Sequence, residues 1–311
     1  MKFFFQKQII RRIILFICLA VIARYFITHQ EELKSLFNLR VVDILSLSIL
    51  GLFIHLTMSY KMLLILHKLG LKKIDHGQWI RIFTISRFLN LYLIQGGNIY
   101  RGVKLKQNYR FSYTESISGM AIFSWFEAVF LLLISIVMIL FFDHRMRLAG
   151  FQVLWILMTL LISFLFLPLA ITIVLRYCPR SWIHEKLTQL MESFFANVKD
   201  LRLLVVLFIL SLITFLIYIW QIFIVFHSIG NSIFLSQTIA FTAITLLSGS
   251  INITPGNIGV TELMYGYLSK IMGQSMGSGI IVCGILRILW FLILGVFAAF
   301  LSLWANRRGR V

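Results

Sequence analysis

The hydrophobic residues of this chain form long uninterrupted blocks, without the alternation of a half-buried strand or the 3.6-residue period of an amphipathic helix. Six of the blocks are long enough to cross the ~30 Å hydrocarbon core of a bilayer as helices. They are Ile9–Ile27, Ile44–Leu66, Ile117–Phe142, Gln152–Leu175, Leu203–Phe226 and Ser278–Trp304. Because a lipid-exposed backbone must satisfy its own hydrogen bonds, the pattern predicts an all-α, polytopic transmembrane helix bundle, with residues 1–311 forming a single domain.

Two further apolar segments do not fit as full crossings. The segment Ile82–Ile94 ends in Gln95-Gly96-Gly97-Asn98, and Phe234–Met272 is interrupted by Thr254-Pro255-Gly256-Asn257. The part that follows the second interruption, Ile258–Met272, would give a helix of only ~22 Å at 1.5 Å per residue, which is short for a bilayer. We therefore predict two re-entrant hairpins, whose breaks are buried in protein or line a wet cavity.

Composition and charge agree with a membrane protein and set its orientation. The mean hydropathy is +0.93 and the net charge is +18, with 29 basic and 11 acidic residues. The basic residues lie in loops between the apolar blocks, so we interpret them as topology signals and contacts to anionic lipid, and we expect no nucleic acid partner. The positive-inside rule predicts a multi-pass protein of the cell (inner) membrane with both termini in the cytoplasm.

The two breaks resemble each other. Gly97-Asn98-Ile99 and Gly256-Asn257-Ile258 share one tripeptide, and each is followed about 30 residues later by a charge inside a span, Glu127 in one case and Arg287 in the other. The predicted topology gives the two segments opposite directions, which is typical of an inverted repeat with a transport site near the membrane midplane. Chance recurrence of two ordinary turn residues is the alternative. The proposed repeat segments are residues 44–142 and 203–304.

The residues around both breaks resemble a known family. The first set is Ser86-Arg87-Phe88-Leu89-Asn90, Gly96-Gly97, Arg101 and Phe126-Glu127, and the second is Thr254-Pro255-Gly256-Asn257-Ile258-Gly259-Val260-Thr261-Glu262 with Arg287. Together they resemble the lysylphosphatidylglycerol synthase transmembrane region family, over nearly the whole chain. Two positions depart from the family pattern, since Gln95 stands where a proline is usual and Asn257 where a second glycine is common.

The resemblance implies a lipid-handling membrane protein. In larger members of the family this region accompanies a soluble domain that makes aminoacylated phosphatidylglycerol, and it is associated with moving that lipid between leaflets. These 311 residues contain no such soluble domain, so the resemblance does not imply synthase activity, and we expect no enzymatic activity. The lipid itself stays undefined.

Charged residues inside spans cost several kcal/mol unless they are paired or hydrated, so each is a functional candidate. Glu127 and Arg287 occupy equivalent positions in the two repeat segments and are expected to approach each other, either for function or as a structural pair. Each segment also contains one acid and one base in reversed order, Arg101 with Glu127 in the first and Glu262 with Arg287 in the second. We expect Arg101, Arg287 and the two Gly-Asn breaks to bind an anionic headgroup through guanidinium groups and free N–H groups at helix starts.

The candidate substrate-binding residues are Arg87, Asn90, Gly96, Gly97, Asn98, Arg101, Glu127, Pro255, Gly256, Asn257, Gly259, Glu262 and Arg287. Arg87 and Asn90 serve either the ligand or the anchoring of the first hairpin. No Cys/His or acidic spacing indicates a metal site or a cofactor.

Three functions follow from this pattern. The first is flippase-like translocation of an anionic phospholipid or lipid-linked molecule, for which replacement of Arg287 by Ala should abolish transport without loss of folded protein. The second is a membrane-embedded transferase acting on a lipid-linked substrate, against which the absence of DxD, DDxxD and HxxE spacings counts. The third is a non-transporting partner subunit of a lipid-modifying enzyme. The expected partners are the lipid and the membrane, and a homo-oligomer or a lipid-enzyme partner stays open.

Overall fold

The computed structural model describes residues 2–71, 74–93, 95–142, 147–148, 151–177, 182–249 and 254–308. Ile94, which bounds the first predicted hairpin segment, lies outside these residues. The described chain is almost entirely helical, as predicted. The helices are α1 (Lys2–Thr28), α2 (Gln30–Leu33), α3 (Val41–Lys68), α4 (His76–Tyr92), α5 (Gly96–Tyr109), α6 (Tyr113–Phe142), α7 (Val153–Tyr177), α8 (Trp182–Val198), α9 (Leu201–Ser228), α10 (Leu235–Gly249), α11 (Val260–Ile271) and α12 (Met276–Arg308).

Short irregular elements complete the described chain. Two 3₁₀ helices cover Lys34–Asn38 and Pro255–Asn257, and two-residue strands β1 (Arg147–Leu148) and β2 (Phe151–Gln152) pair antiparallel. The strands are the one departure from an all-α chain among the described residues, and they lie outside the helices that carry the apolar blocks.

Five described helices are long and apolar enough to cross a membrane, namely α3, α6, α7, α9 and α12. A sixth crossing results if Ile13–Thr28 and Gln30–Leu36, which meet at a bend of 96°, count as one span. Five of the six predicted spans are thus found as helices that begin and end within four residues of the predicted ends, and the other, Ile9–Ile27, lies within α1. The chain is a multi-pass membrane protein.

Both predicted breaks interrupt helices that are too short to cross alone. The first separates α4, of 17 residues, from α5, of 14 residues, and the second separates α10, of 15 residues, from α11, of 12 residues. A crossing takes about 20 residues at 1.5 Å each. The paired breaks therefore exist as helix ends, while the inverted repeat stays a prediction.

The chain divides into two compact units. Unit 1 comprises Met1–Ile54, Arg87–Gly97 and Leu216–Val311, and unit 2 comprises His55–Ser86 and Asn98–Phe215. The first break lies in unit 1 as far as Gly97, and the helix that follows it, α5, belongs mostly to unit 2. The second break and the helix that follows it, α11, belong to unit 1.

Small residues and buried polar bonds hold each unit together. In unit 1, Gly266 of α11 approaches α12 so closely that a Cβ there would lie 2.9 Å from the Met276 carbonyl oxygen. Because the hydrophobic effect does not drive helix association inside lipid, the van der Waals packing that this close approach allows stabilises the helix pair. In unit 2, the buried Trp79 indole donates to the Ser59 carbonyl oxygen at 2.9 Å, which fixes α4 against α3.

One ion pair of unit 2 lies at the ends of two spans. Lys68 ends α3 and pairs with Asp200, which immediately precedes α9. The Lys68 ammonium, together with the Leu203 N–H that donates to Asp200 Oδ1 at 3.1 Å, lowers the pKa of the Asp200 carboxyl. Asp200 therefore caps α9 as an ionised carboxylate.

Candidate functional site

The second break is a run of backbone conformations that glycine and asparagine adopt most readily. Gly256, Asn257 and Gly259 have φ of 58°, 56° and 86°, in the left-handed region. The Asn257 N–H donates to the Thr254 carbonyl oxygen at 2.9 Å, and the Asn257 side-chain amide donates to the Ser248 carbonyl oxygen of α10 at 3.4 Å. The Asn257 amide, predicted as a ligand donor, thus ties the break to the preceding helix.

Arg287 of α12 contacts both the second break and the first turn of α11. Its Nη1 donates to the Gly256 carbonyl oxygen at 2.8 Å, and its Nε lies 2.7 Å from Glu262 Oε1. The second carboxylate oxygen of Glu262 accepts the Gly259 N–H at 2.6 Å, at the first turn of α11. Glu262 and Arg287, which the sequence places in one repeat segment, thus form an ion pair that joins α12, the break and the start of α11.

At the first break, the side chain of Asn90 in α4 accepts a hydrogen bond from the backbone at the start of α5. Gln95 has φ of 63°, and the Gly97 N–H at the start of α5 donates to Asn90 Oδ1 at 2.8 Å. The Gly96 N–H donates to the Leu93 carbonyl oxygen at 3.0 Å. Of the two roles left open for Asn90, the structure shows the anchoring one. Asn90 caps α5, the helix that begins at Gly96.

Two of the N–H groups at the helix starts, which were expected to be free for an anion, have acceptors within the chain. The Gly97 and Gly259 N–H groups already have acceptors, Asn90 and Glu262, as described above. A helix start buried in a membrane protein must find acceptors for its N–H groups within the chain. These two N–H groups are therefore engaged within the chain.

The two break regions meet in unit 1. Gly256 lies against the last turn of α4, where a Cβ on Gly256 would be 2.8 Å from the Leu91 carbonyl oxygen. Gly259 packs against Cys18 of α1. The glycines are thus required both for backbone conformation and for space.

We expect Gly256→Ala to lower the free energy of unfolding by about 1–3 kcal/mol, because it adds a positive-φ penalty to a backbone clash. Gly273→Ala is the matched control, since Gly273 has φ of 81° and a Cβ added there would meet no atom within 4 Å. Denaturant unfolding in detergent checks this. Equal destabilisation by the two variants would show that conformation alone matters and that Leu91 is not a close neighbour.

A cavity of about 400 Å³ opens beside the second break, with all its lining residues in unit 1. Five predicted residues line it: Arg87, Asn90, Gly256, Asn257 and Arg287. Its other polar side chains come from α9, α10 and α11, and include Tyr218, Gln221, Thr242, Thr245, Thr261 and Tyr265. Cys283, Trp290 and several aliphatic residues complete the wall. The cavity mixes apolar surface with a few polar groups, which is typical of a small-ligand site.

Arg87 is the second cation of this cavity. Its guanidinium carbon lies 4.9 Å from the centre of the Trp290 ring, and it also forms a hydrogen bond with Tyr218. Its Nη1 is buried and has no hydrogen-bond partner among the described residues. Arg87 and Arg287 thus line one cavity, and among the described residues only Arg287 is paired with a carboxylate.

Arg101 and Asn98 belong to unit 2. Arg101 is only 6% exposed, and its Nη2 donates to Asn98 Oδ1 at 3.0 Å. Its guanidinium carbon lies 5.9 Å from the Phe83 ring centre. The structure therefore gives Arg101 a local contact with the amide that was predicted as a donor to the ligand.

Glu127 has a partner that the sequence did not reveal. The Lys61 ammonium, 0% exposed in α3, lies 2.7 Å from Glu127 Oε1 of α6. Ser211 of α9 accepts from Lys61 at 3.0 Å and donates to the same Glu127 oxygen at 2.8 Å. Lys61, Glu127 and Ser211 thus join α3, α6 and α9 within unit 2, while the expected approach of Glu127 to Arg287 stays a prediction. Lys61 went unnoticed because it stands alone near the end of a long apolar block.

Comparison with known proteins gives a family. The model of the family described as Lysylphosphatidylglycerol synthase TM region matches residues 8–298, nearly the whole chain. No curated protein and no solved structure matches the chain significantly. The resemblance that the break motifs indicated is confirmed.

Proposed function

Because the chain belongs to the lysylphosphatidylglycerol synthase TM region family, we propose that it moves an anionic phospholipid or lipid-linked molecule between the leaflets of a cell membrane. It does so without enzymatic chemistry, with both termini in the cytoplasm. The observation that carries the proposal is the cavity of unit 1, where two arginines and a broken helix line one space in a multi-pass protein. Broken helices inside spans commonly form the substrate sites of transporters.

The arrangement of charges supports this proposal. A buried guanidinium group is costly in a membrane unless it meets an anion, and a lipid phosphate is an anion that enters from the membrane itself. Hydroxyl and amide groups on α9, α10 and α11 add hydrogen-bonding partners for a polar headgroup. The apolar wall leaves room for the first carbons of an acyl chain.

The test is leaflet exchange of a fluorescent phosphatidylglycerol in proteoliposomes that hold the purified full chain. Dithionite quenches only the outer leaflet, so exchange appears as quenching beyond half of the signal. We expect exchange at a rate proportional to the protein content and near zero in protein-free vesicles. Equal rates in both kinds of vesicle would contradict transport. Mass spectrometry of the lipids after incubation reports any new product, which would favour the transferase instead.

A further inference from the structure

The two arginines of the cavity are not equivalent. Arg287 is matched by Glu262 at 2.7 Å and binds the Gly256 carbonyl oxygen at 2.8 Å. Within the described part of the chain, Arg87 contacts Trp290 and Tyr218 and pairs with no carboxylate. The indole face attracts the Arg87 guanidinium without accepting a hydrogen bond along the edge of the group, where Nη1 has no described partner. Arg87 is therefore the cation that a ligand can neutralise.

Gln221 of α9 supplies a complementary acceptor. Its side chain is 2% exposed, and its Nε2 donates to the Leu47 carbonyl oxygen at 3.0 Å. Since a carbonyl oxygen can only accept, this bond fixes which end of the amide carries the NH₂ group. The other end, Oε1, is buried and has no hydrogen-bond partner among the described residues. Gln221 lines the cavity, and its Oε1 is a buried acceptor without a described partner.

The unpaired buried donor of Arg87 and the unpaired buried acceptor of Gln221 indicate which chemical groups a ligand of the cavity would need. Each carries a desolvation cost while it is unpaired, larger for the charged group, and this cost is recovered when a ligand bonds to it. Arg87 requires an anionic oxygen, and Gln221 Oε1 requires an O–H or N–H group. The described lining residues contain two arginines and no carboxylate, and Glu262 outside the lining balances one arginine. The cavity therefore carries a net charge of about +1.

We propose that Arg87 and Gln221 select the ligand of this cavity: a phosphodiester with one negative charge, whose headgroup carries a hydroxyl group and no amine. Arg87 binds the phosphate, and Gln221 Oε1 accepts from the headgroup hydroxyl. Arg287 holds the break and does not bind the ligand. An amine-bearing headgroup is disfavoured, because its positive charge would meet two guanidinium groups and no carboxylate on the described cavity wall. This inference rests on the proposed function, which it makes specific at the level of residues and headgroup charge.

The test uses native mass spectrometry of the full chain in detergent with equimolar dioleoyl lipids. Phosphatidylglycerol and phosphatidylmethanol have the same charge, but only the first has headgroup hydroxyls; lysyl-phosphatidylglycerol and phosphatidylethanolamine carry amines. We expect phosphatidylglycerol to bind about tenfold more tightly than either amine-bearing lipid. Water-soluble glycerophosphoglycerol distinguishes a lipid from a free phosphodiester, and is expected to compete only at far higher concentration.

Variants of Arg87 and Gln221 test the proposed contacts with the phosphate and with the headgroup hydroxyl separately. Arg87→Gln is expected to weaken phosphatidylglycerol and phosphatidylmethanol alike by about tenfold, and Gln221→Leu to abolish the preference between them. Arg24→Gln, on the exposed side of α1, is the matched control and should bind like the wild type. Arg87→Lys and Gln221→Met replace any variant that does not fold, with the same directions expected.

Several results would overturn the inference. They are unchanged binding in the Arg87 variants, an unchanged hydroxyl preference in the Gln221 variants, or tighter binding of the amine-bearing lipids. Its failure can be told apart from failure of the proposed function. Leaflet exchange that persists without this selectivity overturns the inference alone, whereas selective binding without leaflet exchange overturns only the transport proposal.

Discussion

Replacing Lys61 by Met is expected to lower the free energy of unfolding by about 3–5 kcal/mol, because it leaves Glu127 without its cation in a buried site. Lys61 is completely buried, and Glu127 is 16% exposed. The contact of Glu127 with Ser211 is a hydrogen bond to a neutral group, which cannot replace the ammonium. The decrease should appear as a lower Tm in detergent and a smaller yield of monodisperse protein.

The double variant Lys61→Met with Glu127→Leu separates pairing from packing. A buried ion pair can be exchanged for apolar residues of similar volume at little cost, so the second substitution is expected to restore most of the stability. Lys270→Met, at an exposed position of α11, is the control and should change the Tm little. A double variant as unstable as Lys61→Met alone would mean that the pair does not couple α3 to α6.

Replacing Arg287 by Ala is expected to damage both folding and leaflet exchange. Its removal leaves Glu262 without a cation and Gly256 without its donor, at a break held in left-handed conformations. Loss of one partner of a buried pair costs about 3–5 kcal/mol. The sequence alone predicts lost transport with unchanged folding, and the contacts revise that expectation.

Two further variants test the role of Arg287. Arg287→Lys keeps the charge but lacks the planar fork that reaches a carboxylate and a carbonyl at once, so partial stability and partial exchange are expected. Arg287→Ala with Glu262→Ala removes both charges and should recover only the stability lost to the unpaired carboxylate, and exchange should stay low because Gly256 and Gly259 have lost their partners. Measurement of Tm and of exchange on the same preparations checks this. Wild-type stability of Arg287→Ala would contradict the supporting role.

The spans were predictable because lipid imposes one requirement on every residue of a crossing. Blocks such as Leu203–Phe226 carry no charge, and α9 extends two residues beyond that block at each end. The breaks were predictable for a related reason. Gly96-Gly97 and Pro255-Gly256 stand inside apolar segments, where few structures other than a helix end accommodate them.

The pairings of the charged residues were only partly predictable. Glu262 and Arg287 were expected in one repeat segment and are found together. Glu127 meets Lys61, 66 residues away on another helix, and no local spacing encodes that distance. Gln221 also escaped notice, because a single amide inside an apolar block has no signature until its neighbours are known.

Entry of a phospholipid headgroup into the cavity of unit 1 can be measured directly by photo-crosslinking. A phosphatidylglycerol with a diazirine on its headgroup is reconstituted with the full chain, activated by light and mapped by peptide mass spectrometry. We expect labels on cavity residues of α9 and α12, such as Tyr218 and Trp290, and their loss when unlabelled phosphatidylglycerol is added in excess. Labels confined to lipid-exposed residues such as Phe208 and Phe300, unaffected by competitor, would contradict the account.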